Sequence, residues 1–314
     1  MKSRSVTIVG GAGFIGRDVV RRLAAGGAVI AVASPRAVSA GFLRPMGDVG
    51  QIAAIDADIL EEAPLAQLIE GRDAVICAAG TMTGRHFDRV HHRGPALLAR
   101  LAAGAGVKRF IHISAIAADA HSPSAYARSK AAGETAVRDV FPGATIIRPS
   151  FVFGPEDELF NRFAAMARMA PALPLIGGGE TRFQPVFVGD VAQAIVATLD
   201  RPTTAGEVFE LGGPEILTFR QMMELLLKEI RRPRLLVPVP TGVAALAALA
   251  GELLPEPPLT RDQVRLLQID NVVTPGMPGL AALGIVPTAL ELVLPTYLDR
   301  FRKGGRFAPV TQSP

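Results

Sequence analysis

Residues 5–16 read SVTIVGGAGFIG, a β-branched apolar run that breaks into glycines at 10, 13 and 16. The run 5–10 favours a strand, and RDVVRRLAAGG (17–27) favours a helix that closes on glycine. Glycines three apart at a strand-to-helix junction have separable uses. Gly10 permits the tight turn, Gly13 lets backbone approach a pyrophosphate, and Gly16 lets the helix pack on the strand. The helix start then offers amide donors and a positive dipole to phosphate. This stretch predicts a dinucleotide-binding βαβ unit.

The rest of the first half agrees. Apolar runs at 28–34, 51–56, 74–80, 108–114 and 145–150 read as strands, with helices at 61–71, 86–105 and 124–140 between them. Such alternation predicts an α/β fold, a Rossmann-type doubly wound parallel sheet covered on both faces. Pro95 is expected to kink the 86–105 helix or to mark its true start. Beyond residue 150 the rhythm changes. We expect an NADP(H)-binding domain over 1–150 and a smaller C-terminal α/β part over 151–314, with about 183–200 returning to the first domain. Asp190 with Gln193, and Thr218 with Gln221, have the spacing of capping boxes. Helices are expected near 155–170, 260–269 and 287–302.

The end of the second strand selects the nucleotide. An acidic residue there would accept from the ribose hydroxyls of NAD(H). The chain instead has Ser34, Pro35 and Arg36. A hydroxyl and a guanidinium suit a 2′-phosphate, so NADP(H) is preferred and NAD(H) is the alternative. Asp58 is either a contact for the adenine amino group or a cap of the helix near Glu61.

Tyr126 and Lys130 stand four apart in SPSAYARSKAAGE, on one face of the predicted helix. With five Lys and two Tyr in 314 residues, this spacing is an improbable accident. An ammonium beside a phenol favours phenolate and would draw its pKa toward working pH.

Composition narrows the partners. The net charge is only +4, with basic clusters near the N-terminus (Lys2, Arg4, Arg21, Arg22), at 228–234 and at 299–306. With no Trp and two Tyr, these clusters lack the interleaved aromatics of a nucleic-acid surface, and no nucleic-acid partner is expected. Cys77 is the only cysteine, which fits a reducing compartment. The five His show no carboxylate spacing typical of a metal site; they are expected to be solvated or internally satisfied, and no metal is expected. The apolar stretch 235–254 is broken by Pro238, Pro240, Gly242 and Gly251, too often for a membrane span. We expect a soluble, cytoplasmic protein. The stretch from 241 reads either as a buried helix or as an apolar surface that docks, beside the Arg clusters, on a membrane-bound partner.

The glycine turn, CAAG after the fourth strand, YARSK, and RPSFVFGPED together resemble the short-chain dehydrogenase/reductase superfamily, in its extended and atypical members. More narrowly, HISAIAADAHSPSAYARSKAAGE, RFQPVFVGDVAQAI, PPLTRDQVRLLQIDNVV and LGIVPTALELVLPTYLDRFRKGGRF resemble the bacterial relatives of the 39-kDa subunit family of respiratory complex I. This likeness covers essentially the whole chain. It implies tightly held NADP(H) and an accessory or assembly role with complex I subunits, peripheral on the cytoplasmic side of the inner membrane. It also implies a competing role as an NAD(P)H-dependent oxidoreductase or epimerase, linked to ubiquinone biosynthesis.

The resemblance assigns proton transfer to Tyr126 and the nicotinamide ribose to Lys130. It extends the cofactor set to Phe14, Ile15, Ile59, Ala78, Ala79, Gly80, Ser114, Pro149 and Val152. It also places Ala115 where the superfamily has a substrate-polarising hydroxyl. Ser114 is one residue early and so on the other side of the sheet, and Ser122 and Ser124 are the candidate replacements. HHRG (91–94) stands where an Asn is expected.

Overall fold

A computed structural model describes residues 4–82, 86–252, 254 and 259–305. Lys2, Arg306 and part of the 253–258 segment lie outside the described residues. The chain runs β1 (Ser5–Val9), α1 (Phe14–Ala25), β2 (Val29–Ser34), a 3-10 segment (Ala37–Met46), β3 (Ile52–Asp56), α2 (Glu62–Ile69) and β4 (Ala74–Cys77). A π-helical turn (Asp88–Arg93) leads directly into α3 (Gly94–Gly104), followed by β5 (Arg109–Ile113), α4 (Ala125–Val140) and β6 (Thr145–Pro149). Then come β7 (Val152–Phe153), α5 (Glu158–Met169), β8 (Ala172–Ile176), β9 (Arg182–Phe183), β10 (Val186–Phe187) and α6 (Val188–Asp200). The chain continues with β11 (Val208–Leu211), β12 (Leu217–Thr218), α7 (Phe219–Glu229), β13 (Leu235–Val239), α8 (Thr241–Gly251), α9 (Arg261–Leu266) and α10 (Leu290–Leu298).

Two compact units result. The first holds residues 1–150, 188–211 and 273–286. Its seven-stranded sheet has the order β11-β6-β5-β4-β1-β2-β3, with every neighbour parallel. This is the doubly wound sheet that the alternation predicts. The central strands are apolar on both faces because helices cover both: α1 packs with α6, and α3 packs with α2 and α4. One core joins Val9, Ala31, Ala33, Val75 and Cys77 of the strands to Leu65, Leu68, Leu98 and Ala102 of the helices.

At the far edge, Arg148 on β6 lies between two buried carboxylates. It donates to Glu134 of α4 (2.7 and 2.8 Å) and to Glu210 of β11 (3.3 Å). Glu210 also accepts from the Thr274 amide at 2.8 Å, and its own amide donates to the Pro278 carbonyl at 3.0 Å. Buried charges are tolerated when paired and hydrogen-bonded, as here.

The second unit holds residues 151–187, 212–272 and 287–314. Its core gathers Phe153, Phe160, Phe219, Met223, Leu226, Leu294 and Leu298. Thr218 and Gln221 make the expected capping box on α7. Asp190 does not stand at the expected cap position: α6 starts at Val188, which puts Asp190 in the first turn, where a carboxylate favours the helix dipole. The predicted 86–105 helix is likewise two pieces, with Pro95 near the start of α3 because proline lacks the amide a helix interior needs. The buried-helix reading of the 241–254 stretch is corrected. Within α8 only Ala244 and Ala248 are buried, while Val243, Leu246 and Leu249 are 56%, 69% and 47% exposed.

Candidate functional site

The first-unit residues singled out in the sequence gather at the carboxyl ends of the parallel strands. Gly10 follows β1 with φ of 84°, and a Cβ there would stand 2.6 Å from the Ala79 nitrogen. Turn and β4 loop therefore meet backbone to backbone, which only glycine allows. At Gly16 a Cβ would overlap the Gly10 carbonyl, which fixes the helix tightly under the turn. Gly13 is exposed and caps α1, ahead of Phe14 and Ile15. Arg17, which the sequence reading missed, donates to the carbonyls of Ala12 (3.2 Å) and Gly13 (3.3 Å) and lies over the Phe42 ring. A cradle of backbone that any side chain would fill fits a pyrophosphate.

At the end of β2, the Ser34 hydroxyl is buried and donates to the Arg36 carbonyl at 3.3 Å. That carbonyl also accepts from the Ser39 hydroxyl at 2.6 Å, and the next amide, Ala37, donates to Asp56 at 2.6 Å. The backbone of the turn is clamped while the Arg36 side chain is exposed. Asp56, in register with Ser34 at the end of β3, was not singled out in the sequence. Asp58 is not the cap of α2, and its carboxylate is engaged in the loop before that helix. It accepts from the Leu60 amide (2.9 Å) and from Arg89 (2.7 Å), and the cap position of α2 is Glu61. Burial alone would raise the Asp58 carboxyl, but these two donors outweigh it and hold it below the usual range. Ile59 beside it is buried.

Ala78, Ala79 and Gly80 continue from β4, and a Cβ on Gly80 would lie 4.0 Å from Lys130 Nζ. Lys130 is buried and donates to the Ile113 carbonyl at 3.1 Å. Its Nζ lies over the Tyr126 ring, 5.9 Å from the centre. Burial pushes the amine down to about 8, against the pull of Cys77 and Glu134. Tyr126 is pushed up to about 12 by burial. The expectation that Lys130 draws the phenol down is therefore corrected, because the ammonium faces the ring and a carbonyl and desolvation decides.

The candidate hydroxyls divide. Ser124 caps α4, accepting from the Ala127 amide at 3.3 Å, and Ser122 accepts from the Ser124 amide at 3.2 Å; both serve the turn. Ser114 is buried, and its hydroxyl has no hydrogen-bond partner among the described residues. Ala115 is buried and offers only a methyl. Pro149 is buried at the end of β6, and Val152 is half-buried in the second unit. Among the histidines, His86 and His121 are exposed, and the half-buried His92 meets Asp88 at 2.8 Å. His112 breaks the expectation. It is fully buried with neither ring nitrogen partnered among the described residues, and burial followed by the Lys130 charge holds it well below its ordinary value. His91 is also buried and faces Tyr126, with ring centres 5.2 Å apart.

The family model described as "NAD dependent epimerase/dehydratase family" matches residues 6–212. The chain is 34% identical over 319 residues to NADH dehydrogenase (ubiquinone) 1 alpha subcomplex subunit 9, mitochondrial, of Arabidopsis thaliana, covering 95% of this chain and 78% of that one. For the Mus musculus protein of the same name the identity is 36% over 302 residues, covering 94% and 80%. The crystal structure of DesIV, a dTDP-glucose 4,6-dehydratase from Streptomyces venezuelae with NAD and TYD bound, superposes with a TM-score of 0.74 at 23% identity, covering 94% of this chain and 95% of that one. This structural match is a likeness of fold. The chain belongs to the NAD dependent epimerase/dehydratase family, in the branch that holds subunit 9 of the mitochondrial NADH dehydrogenase 1 alpha subcomplex.

Proposed function

We propose that this protein holds NADP(H) in its first unit and serves as an accessory or assembly component of a membrane-bound NADH:quinone oxidoreductase. The observation that carries this reading is the likeness to subunit 9 over 95% of the chain, well beyond the nucleotide-binding part. The glycine cradle supports the pyrophosphate contact, and the clamped turn with its exposed Arg36 supports the preference for a 2′-phosphate. Lys130, anchored at Ile113, holds the nicotinamide ribose.

Attachment is peripheral, at the cytoplasmic face of the inner membrane. No helix among the described residues is long and apolar enough to cross a membrane, and α8 presents Val243, Leu246 and Leu249 outward. The test is to solubilise membranes gently and recover the tagged protein. Co-purification with the oxidoreductase, and release of NADP(H) on denaturation, are expected. Recovery of the protein without the complex overturns the role.

The intact Tyr126–Lys130 pair favours a second reading, an active NAD(P)H-dependent oxidoreductase or epimerase tied to ubiquinone biosynthesis. A bound nicotinamide supplies or takes up hydride. Tyr126 then exchanges the proton of the substrate oxygen, and Lys130 holds the ribose. Oxidation of NADPH on adding a quinone or ketone, abolished by Tyr126→Phe, would establish this reading in place of the first.

A further inference from the structure

The π-helical turn before α3 brings His91 into the place that the family pattern gives to an Asn. Its ring is buried, with both nitrogens in use. Nε2 faces the Thr81 amide at 3.1 Å, and Nδ1 lies 2.9 Å from the Ser129 hydroxyl. An amide can only donate, so Nε2 is the acceptor and Nδ1 carries the proton. Ser129 accepts that proton's hydrogen bond and gives its own hydrogen to the Tyr126 carbonyl at 2.7 Å. The ring also stacks on Phe87 with centres 5.4 Å apart and meets the Tyr126 ring edge-on. Thr81 follows the Ala78-Ala79-Gly80 loop, so one imidazole joins that loop, through Ser129, to the helix carrying Tyr126 and Lys130.

This joint has one working protonation state. An imidazolium would turn an N–H toward the Thr81 N–H, two donors facing each other with no acceptor between. Burial, and then the Lys130 charge, hold His91 down to about 3, so the neutral form is the one present at working pH. His91 therefore cannot shuttle protons to Tyr126 and acts as a fixed polar rivet.

We infer that His91 is a positioning residue that locks the loop after β4 to α4, setting Tyr126 and Lys130 to retain the nicotinamide half of the cofactor. This rests on the reading that the first unit binds a nicotinamide nucleotide. It adds a residue that the glycine turn and the Tyr–Lys spacing do not identify.

The test uses the whole protein, NADPH as the probe, and three variants. His91→Phe keeps the ring and removes both hydrogen bonds, and His91→Gln keeps a donor and an acceptor. Ser129→Ala breaks the link to α4, together with the Ser129 bond to the Tyr126 carbonyl, and leaves the Thr81 contact in place. The two readouts are NADPH affinity by fluorescence and the tyrosinate titration of the nucleotide-free protein. The chain has no Trp and only two Tyr, and Tyr126→Phe assigns the signal.

His91→Phe is expected to weaken NADPH roughly tenfold. It should also bring the Tyr126 titration down by about one unit as the loosened ring hydrates. Ser129→Ala should show part of both effects, and His91→Gln should recover most of the binding. A His91→Phe protein that binds NADPH as tightly as the parent and titrates Tyr126 unchanged overturns the inference, even if its melting temperature falls. If the parent itself binds no NADPH, the cofactor reading fails, and the Tyr126 titration alone decides the role of His91.

Discussion

The two ends of the proposed cofactor cradle are built from different materials. At the glycine turn the surface is backbone: a Cβ on Gly10 would strike the Ala79 nitrogen, and one on Gly16 the Gly10 carbonyl. At the lysine end the surface is side chain: Lys130, Tyr126, His91 and Ser129, drawn from α4 and the π-helical turn. A backbone surface tolerates no added atom. A side-chain surface can lose a member and keep its fold, with altered electrostatics. The contrast teaches that one set of residues shapes a site, whereas the other tunes it.

The sharpest way to break this contrast is at the turn. Gly16→Ala puts a methyl into the Gly10 carbonyl, and we expect a loss of more than about 3 kcal/mol of stability together with nucleotide binding. Urea unfolding with an NADPH titration would read both. A well-folded, nucleotide-binding Gly16→Ala protein would mean that the turn is softer than its geometry.

At the lysine end the opposite sign is expected. The Lys130 amine sits at about 8 in the folded state, below the unfolded value near 10.5, so the unfolded chain binds more protons between these limits. Stability therefore rises with pH across that window, by at most about 1.4 kcal/mol per unit. Lys130→Met should be more stable than the parent at neutral pH and should lack this rise, while binding NADPH less tightly. Chemical denaturation at a series of pH values, parent against variant, isolates the effect. Parallel curves would show that Lys130 is better paired than its surroundings indicate.

The smallest effect lies between the two ends. Arg36→Ser leaves the clamped turn in place and removes only an exposed guanidinium. It should lower the preference for NADPH over NADH about tenfold with little change in melting temperature. An unchanged preference would move the 2′-phosphate contact elsewhere, with Arg17 the next candidate.

The same contrast explains what could be read from the sequence. The parallel sheet and the glycine turn are legible because each rests on local rules: apolar β-branched runs, and glycine where no Cβ fits. The Tyr126–Lys130 spacing is legible as a helix face. Its electrostatics are not, because these depend on which groups other elements bring alongside. His91 arrives from a turn whose extra residue no periodicity announces, and Asp56 reaches Ala37 only because β3 pairs with β2. Arg17 carried one usable signal, its place four residues after the Gly13 carbonyl it bonds. For α8 the sequence left two readings open, because an Ala/Leu helix reads alike whether its leucines face a core or the outside.

The staple formed by Glu134, Arg148 and Glu210 has a consequence for the order in which the molecule comes into being. A ribosome delivers β6 long before β11, and the 273–286 segment that binds Glu210 comes later still. Until then the nascent first unit carries an open strand edge at β6 and a guanidinium with only one of its two carboxylates. Completion of the first unit is thus paced by translation of nearly the entire chain, so a stalled or truncated product would expose a sheet edge suited to mispairing.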